Sequence, residues 1–272
     1  MRRDNGWNLI LFFVLAYALM WACFWTVALR GIPTNSLAGG ALIYVGAFAP
    51  SLAAIALTSW TEGGVGVRAL LARILRFDVG VRWYVFALAY VPAIKLTAAV
   101  IHRAAFGAWP RFGTEPLILI PFAIAISTPV QAGEEVGWRG YALPRLAERF
   151  GLPAASVVLG VLWGFWHLPQ FFIREADTYG QSFTLYVIQV TALSVAVAWL
   201  YAKTQGSLAL VMLLHAAANN SKDIVPSAVQ GAGDSFALGA SRIAWLSVTL
   251  LWIAAAYFLA RMPRLELSKD ES

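Results

Sequence analysis

Long apolar runs that almost no charge interrupts are the feature that most constrains this chain. The first, Leu9–Leu29, contains no Asp, Glu, Lys, Arg or His across 21 residues, enough for a helix to cross a hydrocarbon layer of about 30 Å. Eight such runs, at about 7–29, 38–59, 83–102, 117–143, 153–173, 183–202, 206–221 and 243–260, predict an all-α, polytopic transmembrane helical bundle. Composition agrees: 60% of residues are apolar and 12% charged, with mean hydropathy +0.69, where a soluble domain carries about 25% charge. Lys95 interrupts the third run, and Pro121 and Pro129 are expected to kink the fourth.

The net charge of +6 does not point to nucleic acid, because the basic residues lie between apolar runs and form no patch with interleaved aromatics. Their distribution instead orients the chain. With the N-terminus inside, thirteen of the 20 Lys and Arg, including Arg2, Arg3, Arg264 and Lys269, fall on the cytoplasmic side, against six on the other. That asymmetry predicts both termini in the cytoplasm. The basic N-terminus resembles a signal peptide, but its apolar stretch is too long and no small-residue cleavage site follows, so it is expected to remain as a span. The single cysteine, Cys23, lies in that span and is expected to pack as a small apolar side chain. An Ala- and Arg-rich composition with short loops suggests a bacterial cytoplasmic membrane.

Residues 1–116 read as three spans, with a short amphipathic helix around Arg68–Arg76 lying on the cytoplasmic interface. Residues 117–221 form a core that holds most of the unusual polar residues. Residues 222–272 supply a long extracytoplasmic loop at 222–241, a last span and a polar tail expected to be disordered.

Ionisable residues inside a bilayer cost about 2.5–3.5 kcal/mol each on insertion scales, so those present are functional candidates. Three groups stand out: Gly133-Glu134-Glu135-Val136-Gly137-Trp138-Arg139, Trp163-Gly164-Phe165-Trp166-His167, and His215-Ala216-Ala217-Ala218-Asn219-Asn220. Counting rise from the expected helix ends puts Glu134 and His215 about 14 Å deep and His167 and Asn219 about 20 Å deep, one slab near the membrane middle. A carboxylate beside an imidazole can take a proton from water and return it to a leaving amine. An imidazole and a carboxamide one helical turn apart can donate to a developing oxyanion. Arg139 follows Glu135 by four residues, the favourable order for a helical ion pair, so Glu135 is assigned to a structural pair with Arg139 that also positions Glu134. Each residue alone has a plain structural reading, as interhelical hydrogen bonding or charge pairing. Asn220 is read only as helix glue, His102 is given no role, and Lys95 has a weak claim on function.

These motifs, in this order, resemble the CPBP family, the CAAX-protease and bacteriocin-processing membrane peptidases that include type II CAAX prenyl endopeptidases. The family pattern is EExxxR, FxxxH and HxxxN; Glu134, Glu135 and Arg139 match the first, His167 the second, and His215 with Asn219 the third. Trp163 stands where the family usually has Phe, an exchange read as keeping an aromatic wall without touching the chemistry. The resemblance implies an eight-helix endopeptidase acting on membrane-associated peptides, with Glu134 and His167 activating water and His215 and Asn219 stabilising the oxyanion. Its partners would be membrane lipids and a peptide with a membrane-associated segment.

No HExxH zinc signature is present. Glu134, His167 and His215 have the residue types of a three-ligand catalytic zinc site, but the set also supports a metal-free, glutamate-dependent reaction, which is the expectation. The competing readings are a non-catalytic immunity or scaffolding protein of the same fold, and a small proton-coupled transporter; the latter predicts an inverted repeat, and none is visible.

Overall fold

A computed structural model describes residues 6–113, 116–225, 236, 241–263 and 265. The tail, most of the 222–241 loop and the cytoplasmic-charge assignments of Arg2, Arg3, Arg264 and Lys269 lie outside the described residues. Everything regular within them is helical: α1 (Trp7–Arg30), α2 (Leu37–Ala47), α3 (Ala49–Ala72), α4 (Val81–Phe106), α5 (Ile120–Ser127), α6 (Ala132–Glu135), a π-helix (Val136–Ala142), α7 (Leu143–Trp166), α8 (Phe183–Lys203), α9 (Leu208–Asn220) and α10 (Arg242–Ala260). The chain is an integral, multi-pass membrane protein.

Local chemistry sets the boundaries. Ser36, Ser182, Ser207 and Ser241 each accept a backbone N–H three residues on, capping α2, α8, α9 and α10. Gly31 and Gly107 close α1 and α4 in the left-handed conformation, at φ 58° and 74°. Gly63 and Gly151, also at positive φ, bend α3 and α7. The segment expected to lie on the cytoplasmic interface is the end of α3 beyond Gly63 with the 3-10 turn Arg73–Leu75 that follows, and it is docked on protein. Leu70 is buried, Arg73 donates to the Gly140 carbonyl (3.2 Å) and the Tyr201 hydroxyl (3.1 Å), and Arg76 donates to the Gln205 carbonyl.

Among the described residues, five helical stretches are long and apolar enough to cross a membrane, and the bent α2–α3 pair adds a sixth if counted as one span. The other two expected spans are represented by shorter apolar helices, Leu117–Ser127 and Leu208–Asn220. The thirteen residues of α9 rise about 20 Å, short of a hydrocarbon core of about 30 Å. The expected fourth span is broken at Pro129, which opens a 3-10 turn; Pro121 sits in the first turn of α5, where it is tolerated and bends nothing. Broken backbone at membrane depth persists only where protein or a cavity surrounds it, and these breaks flank the polar residues.

The core brings α1 against α7. Phe12 packs edge-on against Trp138, and Trp138 against Trp166, at centroid distances of 5.5 and 5.6 Å. Trp166 donates its indole N–H to the Ala16 carbonyl (3.1 Å), Trp21 donates to the Trp166 carbonyl (3.0 Å), and Tyr17 donates to the Leu162 carbonyl. Cys23 is buried in this cluster. On its other side α7 approaches α8 closely through Ser156, Gly160 and Gly164, spaced one turn apart, with Ser194 Oγ donating to the Ser156 carbonyl at 2.9 Å.

A side chain at Gly160 has nowhere to go: a Cβ there would lie 2.7 Å from Thr191 Cα and 2.8 Å from Ser194 Cβ. Gly160→Val is expected to cost about 1–3 kcal/mol, read by reversible unfolding in mixed micelles. Gly64→Ala, with nothing within 4 Å, should stay within about 0.5 kcal/mol of the parent.

Candidate active site

The glutamate segment is shaped by its glycines. A Cβ at Gly133 would lie 2.7 Å from the Phe48 ring, one at Gly137 2.5 Å from the Pro50 backbone, and one at Gly140 2.8 Å from Leu70. The α2–α3 junction therefore presses directly on this backbone, and Ser51 fastens it by donating to the Ala132 carbonyl at 2.6 Å. Immediately after Glu135 the helix widens into the π-helix Val136–Ala142, a rare form that concentrates at functional sites. Glu134 and Glu135 sit at its mouth on different sides.

Glu135 is fully buried, and its Oε1 accepts from Arg139 Nη1 at 2.8 Å and from His215 Nδ1 at 2.7 Å. The ion pair with Arg139 is present, but it is half of the arrangement: the same carboxylate oxygen also holds His215. The Arg139 guanidinium lies over the Trp163 ring, 4.2 Å from its centroid, a contact that helps a desolvated cation.

Glu134 is partly exposed, and its Oε2 accepts the indole N–H of Trp163 at 2.7 Å. Trp163 thus does touch the proposed chemistry, contrary to its reading as a passive wall, because indole brings a donor that a phenyl ring lacks. His167 ends α7 with its Nδ1 2.7 Å from the Trp163 carbonyl. A carbonyl only accepts, so Nδ1 carries the proton and the neutral ring presents a bare Nε2. That Nε2 lies 4.0 Å from Glu134 Oε2. Trp163, Trp166 and Tyr186 pack edge-on around the His167 ring.

On α9, His215 is buried and Asn219, one turn on, is exposed; Asn219 Nδ2 lies 3.5 Å from Gln131 Oε1. Asn220 does bind helices together, donating to Ser127 Oγ at 2.9 Å and to the Ala216 carbonyl at 2.8 Å. Glu134, His167, His215 and Asn219 all line one cavity of about 1300 Å³, with Gln131, Trp163 and Tyr186 also on its wall. Lys95 and His102 line the same cavity farther along α4. Gln131 and Tyr186 were missed in the sequence, since neither carries a charge or a motif. Among the described residues no three His, Cys, Asp or Glu side chains are arranged to hold a metal ion.

Residues 114–221 match the family model described as Rce1-like, type II CAAX prenyl endopeptidase. The match begins just before α5 and ends just after Asn220, and so encloses Glu134, Glu135, Arg139, His167, His215 and Asn219. The segment that carries the polar site is thus similar to the CPBP/CAAX-protease family. It is similar to CAAX prenyl protease 2 of Methanococcus maripaludis, 28% identical over 98 residues, which are 34% of this chain and 36% of that protein. The chain thus matches about a third of the length of that curated relative.

Within this matched segment, the two glutamates differ in what their loss should cost. Glu135→Ala strands Arg139 and His215 without the carboxylate they share and is expected to destabilise by about 3–5 kcal/mol. Glu134→Gln keeps an acceptor at the cavity wall and should cost under about 1 kcal/mol. Unfolding of both variants in the same micelles checks the difference.

Proposed function

We propose that this chain is an intramembrane endopeptidase of CAAX-protease type, hydrolysing peptide bonds near the C-termini or within the membrane-embedded parts of its substrates. The observation that carries the reading is the convergence of Glu134, His167, His215 and Asn219 on one cavity, with a 4.0 Å separation between Glu134 Oε2 and His167 Nε2. A water there can hydrogen-bond to both. The match to the family model over the segment that holds these residues supports it further.

In the proposed reaction Glu134 takes a proton from that water, while the bare Nε2 of His167 accepts from its second O–H and aims the oxygen. The hydroxyl oxygen bonds to the scissile carbonyl carbon, whose oxygen becomes the oxyanion. His215, as an imidazolium with Nδ1–H on Glu135, presents Nε2–H to that oxygen, and Asn219 presents its carboxamide N–H. The tetrahedral carbon then expels the amine, which takes the proton held by Glu134. Arg139 and Glu135 touch no reacting atom; they fix His215 and balance its charge.

Among the described residues no three His, Cys, Asp or Glu side chains are placed to hold a metal ion, and the reaction is written with no step through one. Substrate partners are peptides with a membrane-associated segment. A farnesylated CAAX-type reporter peptide is the first probe, given the relative's name; membrane peptides that accumulate in a Glu134→Ala strain are the second.

Glu134→Ala or His167→Ala should abolish cleavage by purified, folded protein, and Asn219→Ala should lower kcat by about 10²–10³-fold, the usual loss for an oxyanion donor. A Glu134→Ala protein that cleaves at the parent rate would remove the proposal. Cleavage should also survive exhaustive chelation. Loss with EDTA and recovery with zinc would instead establish a metal-dependent reaction.

A further inference from the structure

Position 163 is where this chain departs from the motif it otherwise follows, and the structure shows what the departure does. A phenyl ring there would offer only edges and faces. The indole adds one N–H, and a buried indole N–H usually finds an acceptor. Trp163 is 2% exposed, and its acceptor is the carboxylate Oε2 of Glu134 at 2.7 Å. Three further contacts hold the same residue. Its carbonyl accepts from His167 Nδ1 at 2.7 Å, its face lies under the Arg139 guanidinium at 4.2 Å, and its edge meets the His215 ring at 5.1 Å. No other residue touches Glu134, His167, Arg139 and His215 together among the contacts described.

We propose that Trp163 is a positioning residue for water activation: its indole N–H fixes the plane of the Glu134 carboxylate, while its carbonyl fixes the tautomer of His167. This rests on Glu134 being the base. A carboxylate oxygen has two acceptor sites, so Oε2 can hold the indole N–H and the water that bridges to His167 at once. The base and the histidine that aims the water are thereby set relative to each other by one residue, through its side chain and its main chain. In a cavity of about 1300 Å³, a partly exposed carboxylate has room to rotate, and a single short charge-assisted bond removes that freedom.

The test uses the full chain in lipid nanodiscs with the farnesylated reporter peptide. Trp163→Phe keeps a ring over Arg139 and leaves the backbone bond to His167 in place, so only the indole donor and some packing are lost. Benzothienylalanine at the same position keeps the bicyclic shape and removes the N–H alone, which controls for packing. In both proteins kcat should fall about 10-fold or more, with KM within about twofold of the parent and the unfolding temperature preserved. Independently of activity, the ¹⁵N-indole signal that disappears in Trp163→Phe should shift when Glu134→Gln is introduced.

The inference is overturned if benzothienylalanine at 163 leaves kcat at the parent value, if the loss merely follows a loss of folded protein, or if the indole signal ignores Glu134→Gln. The two readings fail differently. Cleavage untouched by Glu134→Ala sinks the peptidase reading and this inference with it, whereas a dead Glu134→Ala beside a fully active benzothienylalanine protein sinks the inference alone.

Discussion

A fully buried carboxylate shared between a guanidinium and an imidazole is the interaction on which the rest of this molecule depends. Glu135 cannot be carried at membrane depth as a lone charge, and its Oε1 meets that requirement by accepting from both Arg139 and His215. The first partner is local, four residues along the same helical path. The second comes from α9, eighty residues away, so neutralising the charge also docks the helix that carries His215 and Asn219. Such a pair adds little net stability over an apolar core, yet it is costly to break. Its value is that it allows one register of α9 against the glutamate segment.

Around that contact the fold trades regular helix for close approach. The glycines at 133, 137 and 140 let Phe48, Pro50 and Leu70 reach the backbone, and the π-helix begins where the two glutamates must diverge. The short α5 and α9 border the cavity, where backbone freed from regular bonding can be satisfied by protein. Rigidity is supplied from outside: the aromatic hydrogen bonds between α1 and α7, and the small-residue seam between α7 and α8, clamp the helix that ends at His167. The polar site is thus held by apolar packing on both sides.

How much of this the sequence disclosed follows from the range of each interaction. The apolar runs, the Glu135–Arg139 pair and the three polar groups depend on local spacing, and all were legible. So was the meeting of Glu134, His167, His215 and Asn219, because residues at one depth in a bilayer are confined to a thin slab. The break at Pro129 was legible too, but the depth count assumed straight, unbroken helices and missed the bends at Gly63 and Gly151. What remained hidden were contacts between distant segments: His215 to Glu135, and the Trp163 N–H to Glu134. No periodicity encodes them. Trp163 shows the limit most plainly, since a residue-class comparison treats Trp and Phe as equivalent while a hydrogen-bond inventory does not.

The two histidines illustrate how environment separates chemically identical groups. Both commit Nδ1 to an acceptor, and both line the cavity. For His167 that acceptor is a neutral carbonyl, which fixes the proton on Nδ1 and leaves Nε2 as a lone pair, suited to aiming water. For His215 it is an anionic carboxylate that can balance a second ring proton, so Nε2 can present an N–H instead. In the proposed reaction one histidine therefore accepts and the other donates, and the difference lies not in the imidazoles but in the oxygen behind each. Exchanging those two oxygens would invert the roles, which is why Glu135, though it touches no reacting atom, belongs to the proposed mechanism as much as Glu134 does.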